Sequence, residues 1–171
     1  MSSLTRILGT GHHNDSPHHR CEGVLNQPGI GESSMRLLVV SGDSALYSNL
    51  EELASTCGWK IRLAATVEEA IPIVVSESTP LIIYDWNLTD DNWSSAFDRL
   101  NGLGIAMCIL LASRVADPYL WQEVIRFGGF DLLPRSAPRD EWIRKLRFAW
   151  FWNRSLRPSR AATPNTTPKR G

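Results

Sequence analysis

From Met35 to about Asn153 the chain repeats one pattern: a short apolar run, then a longer stretch whose apolar residues fall three and four apart. The first has the period of a strand and the second the period of a helix. The pattern occurs five times in succession. Strands that alternate with helices at this spacing predict a parallel sheet with helices on both faces. Right-handed crossovers make such a sheet doubly wound.

The runs can be placed one by one. Arg36-Leu-Leu-Val-Val40 predicts the first strand, and Leu46, Leu50, Leu53 and Cys57 mark one face of a helix. Gly58 ends that helix as a C-cap. Lys60-Ile-Arg-Leu-Ala64 alternates as a strand with one polar face, and Thr66-Val-Glu-Glu69 opens the second helix in the manner of a capping box. Apolar residues continue that helix to Val75. Leu81-Ile-Ile-Tyr84 predicts the third strand, with a helix from about Asp91 to Leu100 that puts Trp93, Phe97 and Leu100 on one face. Ile105 to Leu111 is continuously apolar, as expected of a strand covered on both sides. Pro118 to Phe127 reads as a helix stopped by Gly128-Gly129, Phe130 to Leu133 as a fifth strand, and Arg139 to about Asn153 as the last helix.

Three segments result. Residues 1–34 are rich in Gly, Ser, Asn, Pro and His and read as a disordered extension; residues 35–153 form the domain; residues 154–171 read as a disordered basic tail. All four histidines (His12, His13, His18 and His19) lie in the extension with Cys21 near them. With no scaffold to orient ligands, they are read as a polar tail and not as a metal site. Met35 stands directly before the first strand and is a candidate start of the native protein. Cys21, Cys57 and Cys108 lack disulfide or metal spacing. Cys57 and Cys108, in apolar runs, are expected to be buried thiols in a reducing compartment. No apolar run approaches the roughly 18–20 residues of a membrane helix, and the N-terminus lacks a signal-peptide core, so the expected location is cytoplasmic. Formal net charge is zero, but residues 35–153 carry 15 acidic against 11 basic side chains, and residues 154–171 carry five basic and no acidic ones. No direct nucleic-acid binding is expected from this balance.

In doubly wound sheets, ligands and chemistry sit beyond the carboxyl ends of the strands, near the point where strand order reverses. That singles out Ser41–Ser44, Asp85–Thr89, Ala112–Arg114 and Pro134–Ser136. Asp85 directly follows the third strand and opens Asp85-Trp-Asn-Leu-Thr-Asp-Asp91. Gly128-Gly-Phe-Asp-Leu-Leu-Pro-Arg135 carries the fifth strand to a basic residue.

With these two segments and the element order, residues 35–153, about 70% of the chain, resemble the receiver domain of two-component response regulators. The resemblance implies a flavodoxin-like α/β fold, (βα)5, and makes Asp85 the phosphoacceptor. It implies a magnesium ion held by carboxylates at the first strand and at Asp85. Here Ser41 and Gly42 take the acid-pair positions, and Asp43 follows one place late, as a weak magnesium ligand or a helix N-cap. A weak magnesium site would use Asp43, Asp85 and the carbonyl of Asn87. The hydroxyl position at the fourth strand holds Ala112, with Ser113 one residue on. Arg135 takes the lysine position, flanked by Pro134 and Ser136, and Leu132 takes the aromatic switch position. The site therefore departs from the receiver pattern at most places except Asp85.

The last helix gives Trp142, Leu146 and Ala149 one stripe, with Ile143 and Trp150 beside it. Phe148, Phe151 and Trp152 fall at other angles and are expected to stay exposed as a homodimer or target surface. No DNA-binding output helix pair is expected after the last helix. Two functions compete: a single-domain receiver in a phosphorelay, phosphorylated at Asp85 by a sensor histidine kinase or phosphotransfer protein, and a pseudo-receiver that binds partners without phosphate. An α/β enzyme is disfavoured, because no glycine-rich phosphate turn follows the first strand and residues 35–153 contain no histidine.

Overall fold

Side chains alternate across each central strand, and that alternation builds two cores, one on each face of a single sheet. The structure, a computed structural model, describes residues 35–88 and 92–156. Its elements run β1 (Arg36–Val40), α1 (Ser44–Cys57), β2 (Lys60–Ala64), α2 (Val67–Glu77), β3 (Leu81–Asp85), α3 (Trp93–Asn101), β4 (Cys108–Ser113), α4 (Pro118–Arg126), β5 (Asp131–Pro134) and α5 (Arg139–Leu156). All strand pairs are parallel, in the order β2-β1-β3-β4-β5. This is the doubly wound, flavodoxin-like arrangement that the sequence predicts.

Leu37, Val39, Leu81, Ile83, Leu110 and Ala112 meet Leu46, Leu50 and Leu53 of α1 and Trp142, Leu146 and Ala149 of α5. Leu38, Val40, Ile82, Tyr84, Ile109 and Leu111 meet α2, α3 and α4 on the other face. Strands β1, β3 and β4 thus bury both faces, which is why they read as unbroken apolar runs. On the second face Phe97 makes edge contacts with Tyr84 at 5.9 Å and Trp93 at 5.4 Å. Edge strand β2 exposes Lys60 and Arg62, charges that discourage pairing with another chain.

Local chemistry sets the helix ends. Thr66 Oγ1 accepts from Glu69 N at 3.2 Å, and Glu69 reaches back to Ala65 N at 2.7 Å. Gly58 has φ 67°, and Trp59 N donates to Ala54 O at 2.8 Å, closing α1 as a Schellman turn. Asp131 at the start of β5 accepts from Trp121 Nε1 of α4 at 3.1 Å and from Lys145 Nζ of α5 at 2.6 Å.

Some boundaries move. β4 begins at Cys108 and not at Ile105, because the chain turns through Gly104 (φ 64°) after α3 and joins the ladder where Cys108 N donates to Pro80 O at 2.9 Å. β5 runs Asp131–Pro134, and Phe130 leads into it. α5 continues to Leu156, past the expected end at Asn153, since Asn153 extends the buried stripe of Leu146 and Ala149. Residues 154–156 of the expected tail are therefore helical. Cys108 is buried as expected, and burial pushes its thiol up to about 11; Cys57 is only half-buried. α3 is seen from Trp93 with Asn92 as its N-cap. The expected start at Asp91, the position Thr89, the extension 1–34 and residues 157–171 lie outside the described residues.

Glycine is required at the α4–β5 turn. A Cβ on Gly129 would meet Val124 Cγ1 at 2.6 Å, the Phe97 ring at 2.7 Å and Val124 O at 2.8 Å. Neither the ring nor the carbonyl can yield cheaply in a packed core. Gly129→Ala is expected to cost about 1–3 kcal/mol of stability, read as a lower urea midpoint with an unchanged slope.

Candidate functional site

The carboxyl ends of β1, β3 and β5 bring together Ser41, Asp43, Asp85 and Arg135. Ser41 follows Val39 on the face that carries Ile83 and Asp85, so period-two alternation aims both side chains at one spot. Ser41 Oγ donates to Asp85 Oδ2 at 2.6 Å and accepts from Asp43 N at 2.9 Å. Asp85 is 1% exposed, and its Oδ1 accepts from Asn87 N at 2.9 Å.

Arg135 comes from the residue just past β5. Its N–H donates to Ser113 O at 2.8 Å, which prolongs the β4–β5 ladder by one bond. Trp142 Nε1 holds the preceding carbonyl, Pro134 O, at 3.0 Å. The backbone is thereby fixed on both sides of the guanidinium. Arg135 Nη1 lies 2.6 Å from Asp43 Oδ2, and Nη2 lies 2.6 Å from Asp85 Oδ2. The first contact is a hydrogen bond. The second is an ion pair. The planar fork serves two carboxylates at once, which a lysine point charge does less well.

Of the two roles weighed from the sequence, Asp43 takes the helix N-cap. It is the N-cap of α1, its Oδ1 accepting from Ala45 N at 2.9 Å and Leu46 N at 3.3 Å. Its other oxygen faces Arg135. The Arg135 guanidinium, followed by those backbone N–H groups, holds the Asp43 carboxyl below its ordinary 3.8. Burial pulls the Arg135 guanidinium down, but Asp43 and then Asp85 outweigh it and hold it above its usual value.

Of the other expected positions, Ala112 and Ser113 bring no polar group to Asp85. Asp85 pairs in register with Ala112, so Ala112 stands beside it with a methyl group. Ser113 alternates to the opposite side and pairs with Pro134. Its Oγ accepts from Val115 N at 3.0 Å, so no register change delivers a hydroxyl to Asp85. Asn87 contributes its N–H to Asp85. Sequence reasoning missed the Ser41 hydroxyl as a donor, although alternation from Val39 carries the signal.

The magnesium ion that the resemblance implies does not fit this donor set. Each carboxylate oxygen of Asp43 and Asp85 already faces a donor or the guanidinium, and Mg2+ demands near-octahedral oxygen ligands with free lone pairs. Among the described residues no three His, Cys, Asp or Glu side chains are grouped to hold a metal. A cavity of about 420 Å3 opens beside the cluster, walled by Asp43, Leu46, Leu50, Arg114, Arg135 and Trp142 among others, but Asp85 is not part of its wall.

No protein-family model matches this chain, and no curated protein matches it. Solved structures do. A CheY-like receiver domain protein from Methanospirillum hungatei superposes with TM-score 0.64 at 17% identity, over 72% of this chain and 98% of that one. The signal receiver domain of a putative Luxo repressor from Vibrio parahaemolyticus gives 0.62 at 20% identity, over 72% and 98%. The chemotaxis protein CheY4 of Vibrio cholerae gives 0.63 at 16%, over 68% and 99%. The fold is therefore that of a CheY-like receiver domain.

Because Asp43 is held below 3.8 when folded, its contribution to stability is complete above that value and is lost as pH falls through the lower folded value. The stability gap between wild type and Asp43→Asn is expected to close on acidification below about pH 4. Asp43→Ala should lose about 1 kcal/mol more than Asp43→Asn, because alanine also removes the N-cap. Denaturant titrations across pH check both.

Proposed function

We propose that this chain is a receiver-type module of two-component signalling that acts by protein contact, with Asp85 held in a fixed charge centre and not cycled through phosphorylation. The carrying observation is the 2.6 Å contact of Arg135 with an Asp85 that is 1% exposed. Attack on a phosphodonor needs an accessible carboxylate oxygen and a cation to bridge the transferred group. Here the oxygens are engaged, and the local cation belongs to the chain. The module is proposed as a binding protein, not an enzyme, placed in the cytoplasm with a histidine kinase or phosphotransfer protein among its partners.

Its proposed contact surface, for a target or a second copy, is the aromatic side of α5. Phe148 is 61% exposed, Phe151 41% and Trp152 49%. Phe130, Phe148 and Trp152 lie within 5.7–6.4 Å of one another, centroid to centroid. Exposed aromatics beside Arg144 and Arg147 have interface composition. Among the described residues no helix is long and apolar enough to cross a membrane.

The second reading is phosphorylation at Asp85, favoured by its place at the carboxyl end of β3 beside β1, where the strand order reverses. Intact-mass measurement with a small-molecule phosphodonor and Mg2+, beside Asp85→Asn, separates the two. The expected result is no gain in either protein. A one-phosphoryl gain lost in Asp85→Asn would establish the second reading.

A further inference from the structure

We infer that the cation of this site is built into the chain: the Arg135 guanidinium occupies the place between Asp43 and Asp85 where a divalent ion would bind, and withdrawing it would create a site for a hard divalent cation. The inference deepens the proposed function and rests on its reading of Asp85 as the site's functional carboxylate.

The geometry is that of a bridging ion. One planar cation touches two carboxylates from different strand ends, each at 2.6 Å. A divalent ion placed there would meet the guanidinium at contact distance and lose to charge repulsion. Only oxygen ligands that face the fork would be released by removing it: Asp43 Oδ2 and Asp85 Oδ2, with the Ser41 hydroxyl already 2.6 Å from the latter. The remaining carboxylate oxygens keep their backbone donors, Ala45, Leu46 and Asn87 N–H. Those bonds hold both carboxylates in place when the fork is gone, so the released pair stays preorganised. Arg135 is 12% exposed at its side chain, and its backbone is held by Ser113 O and, through Pro134, by Trp142. Coordination by two carboxylate oxygens suits Mg2+ or Mn2+, which take oxygen ligands and keep several waters.

The probe is Mn2+, followed by loss of the free aquo-ion signal in electron paramagnetic resonance on the full chain. Wild type is expected to bind no Mn2+ that Asp85→Asn removes. Arg135→Gln, checked for folding by circular dichroism, is expected to bind one Mn2+ at least roughly tenfold tighter than wild type, as follows when a ligand set gains net negative charge. Adding Asp85→Asn to Arg135→Gln should abolish that site. One Mn2+ bound by wild type and lost in Asp85→Asn would overturn the inference, and so would a folded Arg135→Gln that binds no better than wild type. The wild-type arm decides even where the variant fails to fold. The mass experiment reads a separate axis. A phosphoryl gain in wild type that binds no Mn2+ would sink the proposed function and leave the built-in cation standing. Mn2+ bound by wild type with no mass gain would do the reverse.

Discussion

The acid end of this domain is organised by one ionic contact, the fork of Arg135 across Asp43 and Asp85. Like charges brought together by the fold would repel strongly in a half-buried place. The guanidinium neutralises part of that charge and turns two repelling groups into two ends of a bridge. Its effect reaches three elements, since Asp43 caps α1, Asp85 ends β3 and Arg135 follows β5. Ion pairs taken out of water do not reliably add stability over apolar packing, but losing one partner is costly because it strands the other charge. The contact therefore fixes geometry more than it strengthens the fold.

That geometry depends on ordinary sheet rules. Alternation puts Ser41 and Asp85 on one face, and the β3–β4 register puts Ala112 rather than Ser113 next to Asp85. The extra β4–β5 bond from Arg135 N then sets where the guanidinium begins. A one-residue slip in any of these would exchange the faces and dissolve the cluster. The apolar runs of β1, β3 and β4, covered on both faces, hold register firmly, and polar chemistry collects where those runs stop.

Most of the fold was legible because its signals are local and repeated. The α1 stripe, the Thr66–Glu69 cap and the Gly58 stop needed only period and capping chemistry. The misplaced start of β4 shows the limit: Ile105 and Met107 are apolar enough for a strand, but they pack as a loop because Gly104 turns the chain before it meets Pro80. The site was legible as a place and less so as an arrangement. Strand ends named Asp43, Asp85 and Arg135, yet nothing local says that one side chain from position 135 spans carboxylates at 43 and 85. That is a long-range fact of side-chain reach. The same holds for Ser113, whose one-residue offset looks small in sequence and amounts to the opposite side of the sheet.

Strand β5 joins two places that otherwise have little in common. At its start, Asp131 is gripped by Trp121 of α4 and Lys145 of α5; just past its end, Arg135 enters the charge cluster. The strand is four residues long, roughly 13 Å at the rise of a parallel strand. One short backbone segment thus joins the Asp131 contacts to the Arg135 contact. Thermodynamic linkage then works in both directions. A protein that gripped α5 at the proposed surface and preferred one setting of β5 would change how firmly the guanidinium sits on Asp85, and any change at Asp85 would alter the grip by the same factor. Under the proposed contact surface, the state of the acid centre would be legible at α5 without that centre being touched.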